Sequence, residues 1–152
     1  MTPVSSGRQQ YIKRALQEAQ AVCDEKSSRF TRLRRRVLEL ILARPEPVKA
    51  YDLLSDLQKE DQSAKPSTIY RTLDFLLELG LVHKIHRQNA YVGCADPKEE
   101  DPCFFLVCNS CNSVTEKHDK EYLNLIKNIS KRYQFKLNDT SFEIEGLCNN
   151  CI

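Results

Sequence analysis

The sequence predicts an α+β chain: an N-terminal winged helix-turn-helix followed by a small α/β unit. Three features point to it. Helix patterns succeed one another up to Gly80, a hairpin pattern follows them, and two cysteine knuckles, Cys108-Asn-Ser-Cys111 and Cys148-Asn-Asn-Cys151, occupy the last third.

Ile12, Ala15, Leu16, Ala19, Val22 and Cys23 recur at three- and four-residue steps, which predicts an amphipathic first helix with Cys23 in the core. Thr31 is a good N-cap for a second helix whose apolar stripe is Leu33, Val37, Leu38, Ile41 and Leu42, and Pro45 and Pro47 stop it. Arg32, Arg34, Arg35 and Arg36 crowd its first turns; they read either as a solvated face or as phosphate contacts. A short third helix covers residues 50–57. The fourth spans Lys65 to Gly80, with Pro66 and a capping Ser67 at its start and Gly80 in the left-handed position at its end.

On that fourth helix, Ile69, Thr72, Leu73, Leu76 and Leu77 share one face, while Ser67, Arg71, Asp74 and Glu78 share the other with Tyr70 beside them. A hydroxyl, a phenol and a guanidinium on an exposed first turn suit the major groove. Leu81 to His86 and Ala90 to Gly93, joined by residues 87–89, read as the wing.

Asp96 to Pro102 is charged and bounded by prolines, so the expected domains are 1–94, a hinge at 95–102 and 103–152. Beyond the hinge the pattern predicts strands at 104–107 and 114–117 and a helix at 119–132 with Tyr122, Leu125, Ile126 and Ile129 on one face. Two further strands are expected, one through Tyr133, Phe135 and Leu137 and one through Phe142 and Ile144. So small a unit has little core, and metal and self-association are its expected staples.

Two cysteines separated by two residues can grip one tetrahedral cation from a single turn, and two such turns complete a closed zinc site of Cys108, Cys111, Cys148 and Cys151. The alternative is a pair of disulfides or redox dithiols. The 36 residues between Cys111 and Cys148 must form a folded unit of their own.

The charge divides unevenly. Residues 1–94 hold 16 Lys and Arg against 11 Asp and Glu, net +5, and residues 95–152 hold 7 against 10, net −3. A basic first part suggests a polyanion partner. The start is polar and no apolar run approaches the roughly 20 residues of a membrane span, so a cytoplasmic protein is expected, in which seven cysteines read as metal ligands or core residues. An enzyme is not expected. A zinc deaminase needs a His-x-Glu pair, and His83, His86 and His118 each lack a Glu two residues on.

The segments Phe30 to Leu38, Ala50 to Leu54, Lys65 to Leu76, Gly80 to Lys84 and Tyr91 to Cys94, together with the two knuckles in this order, resemble the ferric uptake regulator family, most closely its zinc-sensing branch, the zinc uptake regulators. The resemblance implies a homodimeric, metal-dependent repressor that binds operator DNA and carries two zinc ions per chain, one structural and one regulatory. No membrane and no small-molecule substrate is expected as a partner. It also implies regulatory ligands at His83, Cys94 and Glu116. The fourth ligand departs from the family's pattern, because residues 99–104 contain no histidine; Cys103 is the choice and Asp101 the alternative. One nitrogen, two sulfurs and one oxygen favour zinc over ferrous iron. An iron-responsive regulator is the remaining alternative. His86 and His118 read as surface residues. The expected DNA-contacting set is Ser67, Tyr70 and Arg71 with Lys65, Tyr51, Arg34 and Arg36.

Overall fold

The structure, a computed structural model, describes residues 6–98, 103–137 and 142–152. It divides into two units, Met1–Lys98 and Glu99–Ile152, with the division inside the 95–102 segment.

The first unit runs α1 (Ser6–Glu25), α2 (Arg32–Leu42), α3 (Ala50–Glu60), α4 (Pro66–Glu78), β1 (Val82–Ile85) and β2 (Ala90–Gly93). One apolar cluster joins the buried stripes of all four helices to the foot of the hairpin, and Cys23 lies fully inside it, where burial raises its thiol pKa. Thr31 caps α2 by accepting the Arg34 N–H at 3.3 Å. From α1, Arg8 donates to the carbonyls of Leu42 and Arg44, at 2.9 and 2.6 Å, and so occupies oxygens that the end of α2 leaves open.

Ser67 does not cap α4. The N-cap is Lys65 with no side-chain bond, and Pro66 opens the helix, so Ser67 sits inside the first turn with its side chain exposed. A proline at the first helical position removes one otherwise unpaired N–H, and the Thr68 N–H donates to the Lys65 carbonyl at 3.0 Å. At the other end Gly80 has φ +68°, its N–H reaches the Leu77 carbonyl at 3.0 Å, and the Leu81 N–H reaches the Leu76 carbonyl at 2.9 Å. This paired closure needs a left-handed residue. A Cβ on Gly80 meets nothing within 4 Å. Gly80→Ala is therefore expected to cost about 1 kcal/mol through the backbone alone, read as a lower urea midpoint at unchanged slope.

The wing is an antiparallel pair in the register His83 to Val92 and Lys84 to Tyr91. Its turn closes with Asn89 at φ +46°. A third stretch joins it: Val48 exchanges both backbone bonds with Tyr91, at 2.9 and 2.8 Å, so the α2–α3 connection is stitched to the hairpin.

The second unit contains β3 (Phe104–Cys108), β4 (Val114–Lys117), α5 (Lys120–Arg132) and β5 (Phe142–Gly146). The sheet order is β4-β3-β5, with β4 antiparallel and β5 parallel to β3. A parallel neighbour needs a long crossover, and α5 provides it. Asp119 caps α5 by accepting from the N–H groups of Glu121 and Tyr122 at 2.8 and 3.0 Å. The Tyr122 ring packs against Phe104 and Phe142, with centroids 4.6 and 6.0 Å away.

Residues 133–137 are not a strand. Gln134 takes φ +50°, its N–H bonds the Lys131 carbonyl, and the Phe135 N–H bonds the Ser130 carbonyl at 2.9 Å. The alternation of Tyr133, Phe135 and Leu137 is overridden by a helix-closing turn of the kind seen at Gly80. Within α5 the buried residue is Leu123, whereas Leu125 and Ile129 are 55% and 40% exposed. The apolar stripe read from the sequence is therefore largely outside the core of this unit.

Candidate functional site

The two knuckles meet because the sheet brings them together. In the parallel register Cys108 lies beside Gly146, two residues before Cys148, and the Asn109 N–H donates to the Gly146 carbonyl at 2.8 Å. The first knuckle turns through Asn112 at φ +59°, with the Asn112 N–H on the Cys108 carbonyl at 3.0 Å. The second closes with the Cys151 N–H on the Cys148 carbonyl at 2.8 Å.

The sulfurs of Cys108, Cys111, Cys148 and Cys151 all lie within 4.8 Å of one another, and Cys111 and Cys148 are 3.7 Å apart. A tetrahedral zinc with Zn–S near 2.3 Å requires sulfurs about 3.8 Å apart, so the cluster fits that ion and is far too open for disulfides as it stands. The electrostatics agree. Backbone N–H groups of Cys111, Cys148 and Ser110 aimed at Cys108 hold its thiol down to about 6. At Cys151 the Ser110 hydroxyl lowers the pKa, yet the neighbouring thiols prevail and push it up to about 11. Four sulfurs this close cannot all ionise by themselves, and a divalent cation supplies the missing charge. An ion held by these four thiolates would have no open position, which suits a structural role.

The regulatory candidates form two pairs, one in each unit. In the first unit His83 stands opposite Val92, and the Cys94 N–H continues the ladder to the Leu81 carbonyl at 3.0 Å. That parity puts His83 and Cys94 on the same face of the hairpin as diagonal neighbours. In the second unit Phe104 pairs with Lys117 and Phe105 with Glu116; Cys103 immediately precedes the first of these strands and His118 immediately follows the other. Cys103 Sγ and a Glu116 carboxylate oxygen lie within 4.8 Å of one another, with Cys103 buried and the Glu116 side chain only 9% exposed. Asp101 lies outside the described residues.

His118 is the residue that the sequence reading set aside as surface. It is exposed, as expected, and its Nε2 is 3.1 Å from Glu116 Oε1. The spacing was a usable signal, since residues two apart at a strand end share a face.

On the first unit, Ser67, Tyr70 and Arg71 are all exposed on the outer side of α4, with Tyr70 54% accessible. Lys65 is exposed just before them, and Tyr51 is 77% exposed at the start of α3. A shallow groove between the first turns of α2 and α4 is lined by Thr31, Leu33, Arg34, Thr68, Arg71 and Thr72. The two named arginines of α2 are both engaged. The Arg34 guanidinium lies 3.4 Å over the Phe75 ring and donates to the Arg29 carbonyl. Arg36 bridges Glu39 at 2.6 Å and Glu60 at 2.5 Å, which ties α2 to the end of α3 and raises its own pKa, chiefly through Glu60. Arg32 and Arg35 are the exposed members of the cluster.

Residues 25–145 match the ferric uptake regulator family. The chain belongs to that family. Among this family's proteins, the zinc uptake regulation protein of Escherichia coli (strain K12) is 34% identical over 139 residues, covering 90% of this chain and 81% of that protein. A zinc uptake regulator solved in complex with zinc and DNA is similar with a TM-score of 0.85 and 32% identity, over 91% of this chain and 93% of that one. Holo XcZur is similar with a TM-score of 0.79 and 35% identity, over 89% and 94%. Among the described residues no helix is long and apolar enough to cross a membrane.

Proposed function

We propose that this family member is a zinc-responsive, DNA-binding repressor of zinc-uptake and zinc-homeostasis genes, working in the cytoplasm as a homodimer with one structural and one regulatory zinc per chain. The observation that carries this is the separation of two ligand sets. The four-thiolate cluster is complete and lies within the second unit; the family resemblance assigns a second, mixed set to His83 and Cys94 of the first unit and Cys103 and Glu116 of the second. A zinc ion shared by such a set restrains the DNA-binding unit relative to the unit that dimerises. An ion that binds the restrained arrangement better must favour DNA binding reciprocally.

Two sulfurs among the four regulatory ligands favour zinc over the iron-responsive alternative. The zinc- and DNA-bound relative supports the same partners for this chain. The exposed apolar side chains of the second unit, among them Leu106, Leu125, Ile129, Ile144 and Leu147, support self-association there.

On DNA, α4 enters the major groove with Ser67, Tyr70 and Arg71, while Lys65, Tyr51 and the exposed arginines of α2 hold phosphate. Arg34 and Arg36 shape that surface as well as charging it, through Phe75 and Glu60. Selection from a random duplex pool tests this, run once with zinc and once with chelator. A two-fold symmetric consensus should emerge only with zinc. Arg71→Ala should then lose roughly 1–3 kcal/mol on that consensus and relax one position of each half-site. Equal losses on consensus and scrambled DNA reassign Arg71 to the backbone, and selection of the same consensus without zinc rejects the proposed function.

A further inference from the structure

We infer that His118 is a positioning residue for the regulatory metal: it donates from Nε2 to one oxygen of Glu116 and so fixes the direction in which that carboxylate meets the ion. The inference rests on the proposed regulatory role of Glu116 and adds a residue to it.

Three observations within the second unit support this. His118 Nε2 and Glu116 Oε1 are 3.1 Å apart. An ionised carboxylate only accepts, so against one the ring nitrogen donates. Glu116 pairs with Phe105, and Cys103 and His118 each stand two residues from that pair along the chain, which by strand alternation sets Cys103, Glu116 and His118 on one side of the sheet. The Glu116 side chain is only 9% exposed against 30% for His118.

A carboxylate can bind a metal through one oxygen or both, and tetrahedral zinc with three other ligands has room for one. The hydrogen bond at Oε1 fixes the rotation of the carboxylate, and with it the direction in which Glu116 meets the ion. Such outer hydrogen bonds typically govern ligand affinity by ~10–100-fold.

The test uses the full-length dimer with two readouts, zinc affinity of the weaker site by chelator competition and the visible spectrum of the cobalt(II)-substituted site. His118→Ala should weaken the weaker site by ~10–100-fold and alter the cobalt spectrum, while the tightly held zinc and the dimer stay intact. His118→Gln keeps an N–H near the same reach and should recover most of the affinity. In a Glu116→Ala background His118→Ala should have no further effect, because its partner is gone. Wild-type affinity in His118→Ala overturns the inference, as does an undiminished loss in the Glu116→Ala background. Loss in His118→Gln equal to that in His118→Ala also overturns it, and makes His118 a ligand in its own right. If Glu116→Ala alone leaves the weaker site unchanged, the regulatory assignment of Glu116 fails and this inference fails with it.

Discussion

Cys148→Ser is expected to leave the second unit unfolded or nearly so, the protein largely monomeric, and the tightly held zinc absent. The reason is the ratio of metal to core. In the second unit the helix buries little beyond Leu123, and the ring cluster of Phe104, Tyr122 and Phe142 is small. The metal must supply what that core lacks, and structural zinc sites contribute on the order of 10–16 kcal/mol near neutral pH. Removing one thiolate leaves three sulfurs and opens the link between β3 and the chain after β5. Metal analysis with sedimentation measures both consequences, and a Cys148→Ser protein that remains dimeric with full zinc content contradicts the assignment.

Cys94→Ser has the opposite profile. The expected result is a folded dimer that keeps its structural zinc and loses zinc-dependent repression. Cys94 follows β2 in the first unit, so its loss does not touch the four-thiolate cluster, and serine replaces a thiolate with a hydroxyl that zinc binds poorly. The loss should approach the whole coupling, typically 5- to 150-fold in operator affinity, when compared with wild type at saturating zinc. Reporter repression with operator binding in buffered zinc checks this. Loss of the dimer in Cys94→Ser sinks the idea that the two metal sites are independent.

The parts legible in the sequence are those encoded by short spacing. The buried stripe of α1, the Thr31 cap, the left-handed Gly80 and the paired knuckles all depend on residues a few positions apart, where helix period, cap chemistry and ligand spacing act directly. What was illegible depended on longer reach or on competition between local preferences. The Val48 bridge to Tyr91 is a single exchanged pair flanked by Pro47 and Lys49, with no alternation to announce it. Arg36 reads as part of a phosphate-binding run until α3 folds back and brings Glu60 to it. Residues 133–137 carry a strand's alternation, but closing α5 takes precedence at Gln134.

The site divides along the same line. Four cysteines in two knuckles announce their metal by spacing alone. His83, Cys94, Cys103 and Glu116 have no common period, and only the family resemblance singled them out. The pairing of His118 with Glu116 became visible once β4 and its register were on hand.

Zinc at a separate regulatory site is expected to control operator binding. Titrating operator affinity of the wild-type dimer against buffered free zinc, with the structural site kept full, tests it most directly. Affinity should rise about 5- to 150-fold as the second zinc fills, and operator DNA should tighten that zinc by the same factor. Equal operator binding with the regulatory site empty, or equal activation by ferrous iron at matched occupancy, would contradict it.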